Sequence, residues 1–180
     1  MADHTDNQFK AAIAALREVV APAVNPHDPA AREQLQLVID QLEFVRQRVG
    51  LLDSRHRLEL VQQLDMVERL AHAAKDVRDP SAAEISDTVT DARAVLADPI
   101  AKHEDLAAQQ EGLARLVPRI LEHAPDEHRQ ALDRLVVQLS GSRVTFERSW
   151  YAPLGFDPDP ESLPSVDSLL AEVDLGGGTL

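Results

Sequence analysis

The sequence predicts an all-α fold: an antiparallel helical bundle of four longer helices and one or two shorter ones, followed by an extended, proline-rich, acidic C-terminal tail. Hydrophobic residues make up 44% of the 180 residues and are mainly Leu, Val and Ala. Aromatic residues are 3% and glycines number seven, too few for the strands and turns of most β-folds. Apolar residues also recur at the i, i+3, i+4 spacing of amphipathic helices.

The first predicted hairpin occupies the N-terminal fifty residues. Its first helix covers about 5–24, and Pro22 is expected to kink it or end it early because proline lacks the N–H of a helical residue. Asp28 precedes a proline and a helical pattern, which is typical of an N-cap. The second helix covers 29–49, and Gly50 is expected to stop it.

Four further helical segments follow. The third helix opens at Asp53 or Ser54 and ends at Asp79-Pro80. Ser81 and Glu84 fit a capping box that opens a shorter helix through about 85–96. Asp98-Pro99 is expected to begin a fifth helix reaching 122, and a sixth covers 126–150.

The first and last hairpins resemble each other. The segments 32–42 and 129–139 match at a constant offset of 97 residues. Helical apolar spacing alone produces such matches, so two interpretations stay open: a duplication, or two independently amphipathic hairpins. Both predict a bundle domain at 1–152 and a tail at 153–180.

The tail differs from the bundle in composition. Four prolines fall within 153–164, which excludes a long helix there, and no Lys or Arg follows Arg148. A short helix is predicted near 165–173. Its apolar side is expected to dock on the bundle or to detach for a partner, and comprises Val166, Leu169, Leu170 and Val173.

Charge and composition restrict the functional classes. A net charge of −13 repels nucleic acids and anionic membranes, so neither is expected as a partner. The absence of cysteine excludes disulfides and thiolate sites. No leader-like N-terminus or membrane-length apolar run is found, so a cytoplasmic location is expected. The excess of Arg over Lys indicates a GC-rich bacterial source.

No metal, cofactor or catalytic motif emerges. The Glu-x-x-His motif of di-iron bundles is absent, and His56, His72 and His128 are interpreted as solvated or capping residues. Acid–base catalysis needs paired carboxylates with displaced pKa values. The best candidates have arginines at helical spacing and are interpreted as surface ion pairs: Asp40, Glu43, Asp65 and Glu68.

The sharpest feature is the segment 146–156, which holds four of the six aromatic residues. One interpretation is a hydrophobic plug that closes the bundle and pins the tail. The other is the wall of a binding groove, since Trp, Tyr and Arg are typical of interaction hot spots. The candidate interaction or pocket residues are Arg143, Phe146, Arg148, Trp150, Tyr151 and Phe156.

The sequence therefore predicts a non-enzymatic protein that acts through protein–protein interaction, as an accessory subunit, adaptor or homodimer. The alternative is a bundle that binds a small molecule or a metal, in a pocket between the two hairpins near Trp150 and Tyr151.

Overall fold

The computed structural model describes residues 4–74 and 82–176, and side chains as far as residue 171. No strand occurs in these ranges, which confirms the all-α class. No described helix is both long enough and apolar enough to cross a membrane.

Eight α-helices are described, along with short π and 3₁₀ turns. Their bounds are α1 His4–Ala15, α2 Ala21–Ala23, α3 Pro29–Arg48, α4 Leu52–Ala73, α5 Ala82–Ala97, α6 His103–His123, α7 Asp126–Tyr151 and α8 Val166–Gly176. The predicted end of the third helix at Asp79-Pro80 and the predicted cap at Ser81 lie outside the described residues.

The first helix contains a π turn at Leu16–Val20, between α1 and α2. The N–H of Ala21 donates to the carbonyl of Leu16, five residues back. This wider turn precedes Pro22, which has no N–H to give to an α-helical bond. The helical path therefore runs to Ala23 instead of ending early.

The bounds of α3, Pro29–Arg48, agree with the predicted 29–49 to within one residue, but the predicted role of Gly50 differs. The Asp28 carboxylate accepts a hydrogen bond from the Ala31 N–H at 3.0 Å, so it is the N-cap. Gly50, expected to stop the helix, instead lies in a 3₁₀ turn at Val49–Leu51 that leads directly into α4. Its φ is not positive, so it does not form a left-handed C-cap.

The Asp98-Pro99 prediction was wrong for α6, which begins at His103 with Lys102 as N-cap. Asp98 instead forms a local turn, because its carboxylate accepts the Ile100 N–H at 2.9 Å. This side-chain bond competes with helix formation. The helix then continues through Pro118 to His123.

The described chain divides into two compact units. The hairpin unit comprises the residues described in 1–52 together with 151–158, and the core unit comprises those described in 53–150 and from 159 onward. The predicted division into a bundle domain at 1–152 and a tail at 153–180 stays a prediction.

Inside the hairpin unit, α1 packs on α3. Arg46 of α3 donates to Asp6 of α1 at 3.0 Å, and Arg17 of the π turn donates to Glu43 at 3.1 Å. Only three hydrophobic side chains described in this unit are buried, namely Ile13, Ile39 and Phe44. Its apolar core is therefore thin.

In the core unit, four helices share one hydrophobic core. It contains residues of α4, α5, α6 and α7, among them Leu60, Leu70, Ala92, Leu113 and Leu132. Arg119 of α6 pairs with Glu84 at the start of α5. At the opposite ends, Arg57 of α4 donates to the carbonyls of Leu96 and Asp98. These contacts agree with antiparallel neighbours; the bundle arrangement as a whole stays a prediction.

The tail begins with a 3₁₀ turn at Ala152–Leu154 that ends at Gly155. Gly155 has a φ of 78°, a left-handed conformation that favours glycine. A second 3₁₀ turn at Pro160–Ser162 precedes α8. The tail helix, predicted near 165–173, extends from Val166 to Gly176.

We expect the core to be sensitive to the loss of two side-chain carbons, as in a valine-to-alanine change. Val67 is fully buried at 0% exposure, whereas Val137 is 74% exposed. Val67→Ala should lower the free energy of unfolding by about 2 kcal/mol, through lost transfer energy and a residual cavity. Val137→Ala, the same chemical change, should alter it by less than about 0.5 kcal/mol. Urea unfolding followed by circular dichroism measures both, and equal effects would contradict the described core.

Candidate functional site

The aromatic segment divides into buried and exposed rings. Phe146 and Trp150 are buried at 1% and 2% exposure, while Tyr151 is 44% and Phe156 85% exposed. Phe146 and Trp150 lie one turn apart on α7 with ring centroids 5.7 Å apart. The segment thus forms neither a single plug nor a single open wall.

Arg55 of α4 contacts the buried ring of Trp150 and two carboxylates. Its guanidinium lies 4.7 Å from the centre of the Trp150 ring, a cation–π distance. It also donates to Glu59 at 2.7 Å and to Glu147 of α7 at 3.0 Å. With side chains of Arg55 and Glu59 only 16% and 11% exposed, the bond between them is shielded from water. The bond to Glu147, whose side chain is 32% exposed, links α4 to α7.

Tyr151 belongs to the hairpin unit. Its ring stacks on Phe44 of α3, with centroids 5.7 Å apart and planes inclined by 21°. The Arg48 guanidinium lies 6.0 Å from the Phe44 ring centre. Two aromatic rings and an arginine are therefore grouped along α3, a composition common in protein interfaces.

The remaining candidate residues are two arginines of α7 and the apolar residues of the tail. Arg143 and Arg148 of α7 are exposed. In the tail, Val166 and Leu170 are buried at 7% and 9% exposure, and Leu169 is half-buried. The side chain of Val173 lies outside the described residues, so docking through that position stays a prediction.

A polar cleft of about 230 Å³ lies among α4, α6 and α7 of the core unit. Seven side chains line it: Glu59, Gln63, Ala107, Gln110, Glu111, Ala114 and Arg143. The α6 residues recur at i, i+3, i+4 and i+7, so they form one stripe of that helix. The small side chains of the two alanines leave space at the base of the cleft.

Hydrogen bonds fix several walls of the cleft. Gln110 donates to the His56 carbonyl at 2.8 Å, and Glu111 accepts from Arg115 at 2.7 Å. Glu59 is held by Arg55. By contrast, Gln63 and Arg143 have no hydrogen-bond or ion-pair partner within the described ranges.

His56 lies beside the cleft and is partly buried, and its ring centroid is 3.8 Å from that of the exposed His103. Burial lowers the pKa of His56 below its ordinary value of 6.5, and the neighbouring charges of His103 and Arg55 lower it further. Glu59, with one oxygen 3.7 Å from His56 Nδ1, and Asp53 oppose this shift. His56 is thus favoured in its neutral form.

The other histidine and carboxylate candidates have ordinary surroundings. Asp65 pairs with Arg69, and Glu68 with Arg93. Asp40 accepts from Gln36, and Glu43 has its pKa lowered chiefly by the hydrogen bond from Arg46. His128 lies 3.8 Å from Glu127. Within the described side chains, no group of three or more His, Cys, Asp or Glu could hold a metal ion.

Sequence reasoning selected Arg143 but missed the rest of its cleft. Gln63 lies between Leu60, Leu64 and Val67 on the apolar side of α4, which is a weak signal because glutamine is common at helix edges. Ala107, Gln110 and Ala114 carry no chemical signature of their own. Only the packing of three helices brings these residues together.

Comparisons with known proteins add no family to this description. No protein-family model matches the chain, and neither the curated proteins nor the solved structures searched include a match.

We expect Arg55 to be a major stabilising residue of the core unit. Arg55→Gln removes two ion pairs and the cation–π contact and leaves Glu59 shielded without its counter-ion, so it should lower the free energy of unfolding by about 1–3 kcal/mol. The exposed pair Asp65–Arg69 has the same i, i+4 spacing and the same 2.7 Å distance. Arg69→Gln should therefore cost less than about 0.5 kcal/mol. Urea unfolding tests both, and similar losses would contradict the assigned role.

A second prediction concerns protonation of His56. Because its pKa is lowered on folding, the folded protein binds fewer protons there than the unfolded chain. The stabilising contribution of neutral His56 is complete above its ordinary pKa of 6.5 and is lost as the pH falls through its lowered folded pKa. NMR titration of the imidazole protons should show this lowered pKa. His103→Asn should raise it without restoring 6.5, since burial persists; an unchanged pKa would refute the contribution of His103.

Proposed function

We propose that this protein is a non-enzymatic interaction protein that associates with a second copy of itself through the outer face of α3. The observation that carries the proposal is a stripe of apolar and amide side chains on that helix, with one charged residue at its end. At heptad-like positions it contains Gln34, Leu37, Gln41, Phe44 and Arg48, with Val38 and Val45 beside them. Arg48 alone is charged, and it lies at the end of the stripe.

The stripe lies on the side of α3 that faces away from α1. The side toward α1 is marked by Glu43 and Arg46, whose partners are in the π turn and in α1. Leu37 and Val38 are 51% and 49% exposed. A residue spacing of three and four places the stripe along one line of the helix, the arrangement used when two helices pack side by side.

Exposed apolar residues are concentrated in the hairpin unit. Of the ten large hydrophobic side chains exposed among the described residues, seven belong to this unit: Val19, Val20, Leu37, Val38, Leu52, Tyr151 and Phe156. Yet only three of the twenty-one buried hydrophobic residues do. Small units with thin cores usually gain stability from association.

Charge favours a second copy as the occupant. Residues 4–52 and 151–158 carry seven acidic and five basic side chains, a difference of two, whereas the whole chain carries −13. A nearly neutral surface can approach its own copy without the repulsion that the rest of the chain would impose. In an antiparallel pair centred on Gln41, Leu37 faces Val45, and Arg48 approaches Glu33 of the second copy. The stripe is therefore complementary to itself, as a two-fold interface requires.

We expect a reversible dimer with a dissociation constant in the micromolar range, because the stripe spans only about two heptads. Sedimentation equilibrium between about 5 and 200 µM should show it. Val38→Glu should weaken the dimer at least about tenfold, since it places an unpaired carboxylate in the apolar contact between the two copies. Val137→Glu, the same substitution at an exposed valine of α7, should leave the dissociation constant of the dimer unchanged.

Two results would overturn the proposal. One is a monomer throughout this concentration range. The other is an equal loss of dimer in the Val38→Glu and Val137→Glu variants, which would indicate a general effect of charge and not a specific interface. Circular dichroism of each variant controls for folding.

A further inference from the structure

We propose that Tyr151 is an aromatic anchor of the self-association surface and packs against Val38 of the second copy. The segment at the start of the tail thereby joins α3 in forming that surface. This contact belongs to the proposed interface on α3 and exists only if that interface does. Three features carry it: the burial of Phe44, the stack of Tyr151 on that ring, and the register of a two-fold pair.

The stripe on α3 does not present its own aromatic ring to solvent. Phe44 is only 9% exposed, whereas Leu37 and Val38 are 51% and 49% exposed. The 3₁₀ turn at Ala152–Leu154 packs on α3. The Tyr151 ring, which precedes this turn, stacks on Phe44 with the two centroids 5.7 Å apart. The surface at this end of the stripe is therefore formed by Tyr151.

Tyr151 combines a fixed position with an open surface. The planes of the Tyr151 and Phe44 rings are inclined by only 21°, so one face of the Tyr151 ring is turned toward Phe44. The residue is nevertheless 44% exposed. A large ring that is already held in place loses little side-chain freedom when a partner covers it. This is one reason why tyrosine is enriched among the residues that dominate binding at interfaces.

The two-fold register places Tyr151 opposite an apolar side chain. In the antiparallel pair centred on Gln41, residue 44 of one copy faces residue 38 of the other. Because Tyr151 covers Phe44, the ring that meets Val38 of the second copy is that of Tyr151. The two-fold axis repeats the contact, so each dimer contains it twice.

The chemistry of the contact suits a second copy. An aliphatic side chain against an aromatic ring buries apolar surface on both sides and leaves no charge without water. Arg48, whose guanidinium lies 6.0 Å from the Phe44 ring centre, approaches Glu33 of the second copy and so lies at the edge of the contact. An apolar centre with charges at its rim is the usual arrangement in protein interfaces.

The first test is sedimentation equilibrium of the full-length chain between about 5 and 200 µM. Tyr151→Ala should raise the dissociation constant of the dimer at least about tenfold, because it truncates an anchor that occurs twice. Tyr151→Phe keeps the ring and should change the constant less than about threefold. Val137→Ala, at an exposed valine of α7, is the matched control and should leave it unchanged. Circular dichroism shows whether each variant is folded.

The second test is cross-linking, which locates the contact in a way that a purely stabilising role of Tyr151 would not. The chain has no cysteine, so single cysteines can be introduced without background. Tyr151→Cys is mixed at about 200 µM with ¹⁵N-labelled Val38→Cys, where a weakened dimer is still populated. A short bismaleimide should join the two copies, identified by their mass. Tyr151→Cys mixed with ¹⁵N-labelled Val137→Cys should give little product.

The outcomes distinguish a failure of this contact from a failure of the whole interface. A wild-type chain that stays monomeric removes both. A dimer that Val38→Glu weakens, but folded Tyr151→Ala does not, retains association through α3 and overturns the role of Tyr151. Equal cross-linking in the two mixtures overturns it as well. Should Tyr151→Ala not fold, Tyr151→Leu still covers Phe44 and should weaken the dimer about threefold or more; an unchanged dissociation constant would again overturn the contact.

Discussion

The contact between Arg55 and its three neighbours joins two long helices of the core unit. One guanidinium lies over Trp150 and binds Glu59 and Glu147. It thereby fixes the first turns of α4 against the last turns of α7. It also pairs with Glu59 at the edge of the cleft.

The two units of the chain use their apolar residues differently. In the core unit, Leu, Ile and Val side chains of four helices meet in one core. In the hairpin unit, ion pairs such as Asp6–Arg46 join α1 to α3, and much of the apolar surface remains on the outside. Since exposed ion pairs contribute little stability, the hairpin unit has more to gain from association than the core unit has.

The sequence could predict what local chemistry determines. Asp28 before Pro29 marked the start of α3, because the carboxylate accepts a hydrogen bond from an amide of the first turn and proline has no N–H that would need a partner. The same reasoning failed at Asp98-Pro99, where the carboxylate closes a local turn and the helix begins only at His103. The candidate site was predicted only in part. Phe146 and Trp150 could be placed on one helical face, but whether that face is buried depends on Arg55, almost a hundred residues away along the chain. Likewise Gln63 lies in one cleft with residues of α6 and α7 only because the helices pack together, since no local sequence pattern connects it to them.

The π turn at Leu16–Val20 also affects how this chain can change over time. A π turn holds one more residue than the α-helical path it replaces, so it is equivalent to a single-residue insertion. Each residue of an α-helix turns the helix by about 100°. An extra residue in a regular helix would rotate α1 by that angle, but the π turn takes up the extra residue locally. Deleting one residue here would therefore restore a regular helix and leave Ile13, now 3% exposed, in its buried position. The N-terminal helix can therefore lose one residue at this point without turning the residues before it away from their contacts.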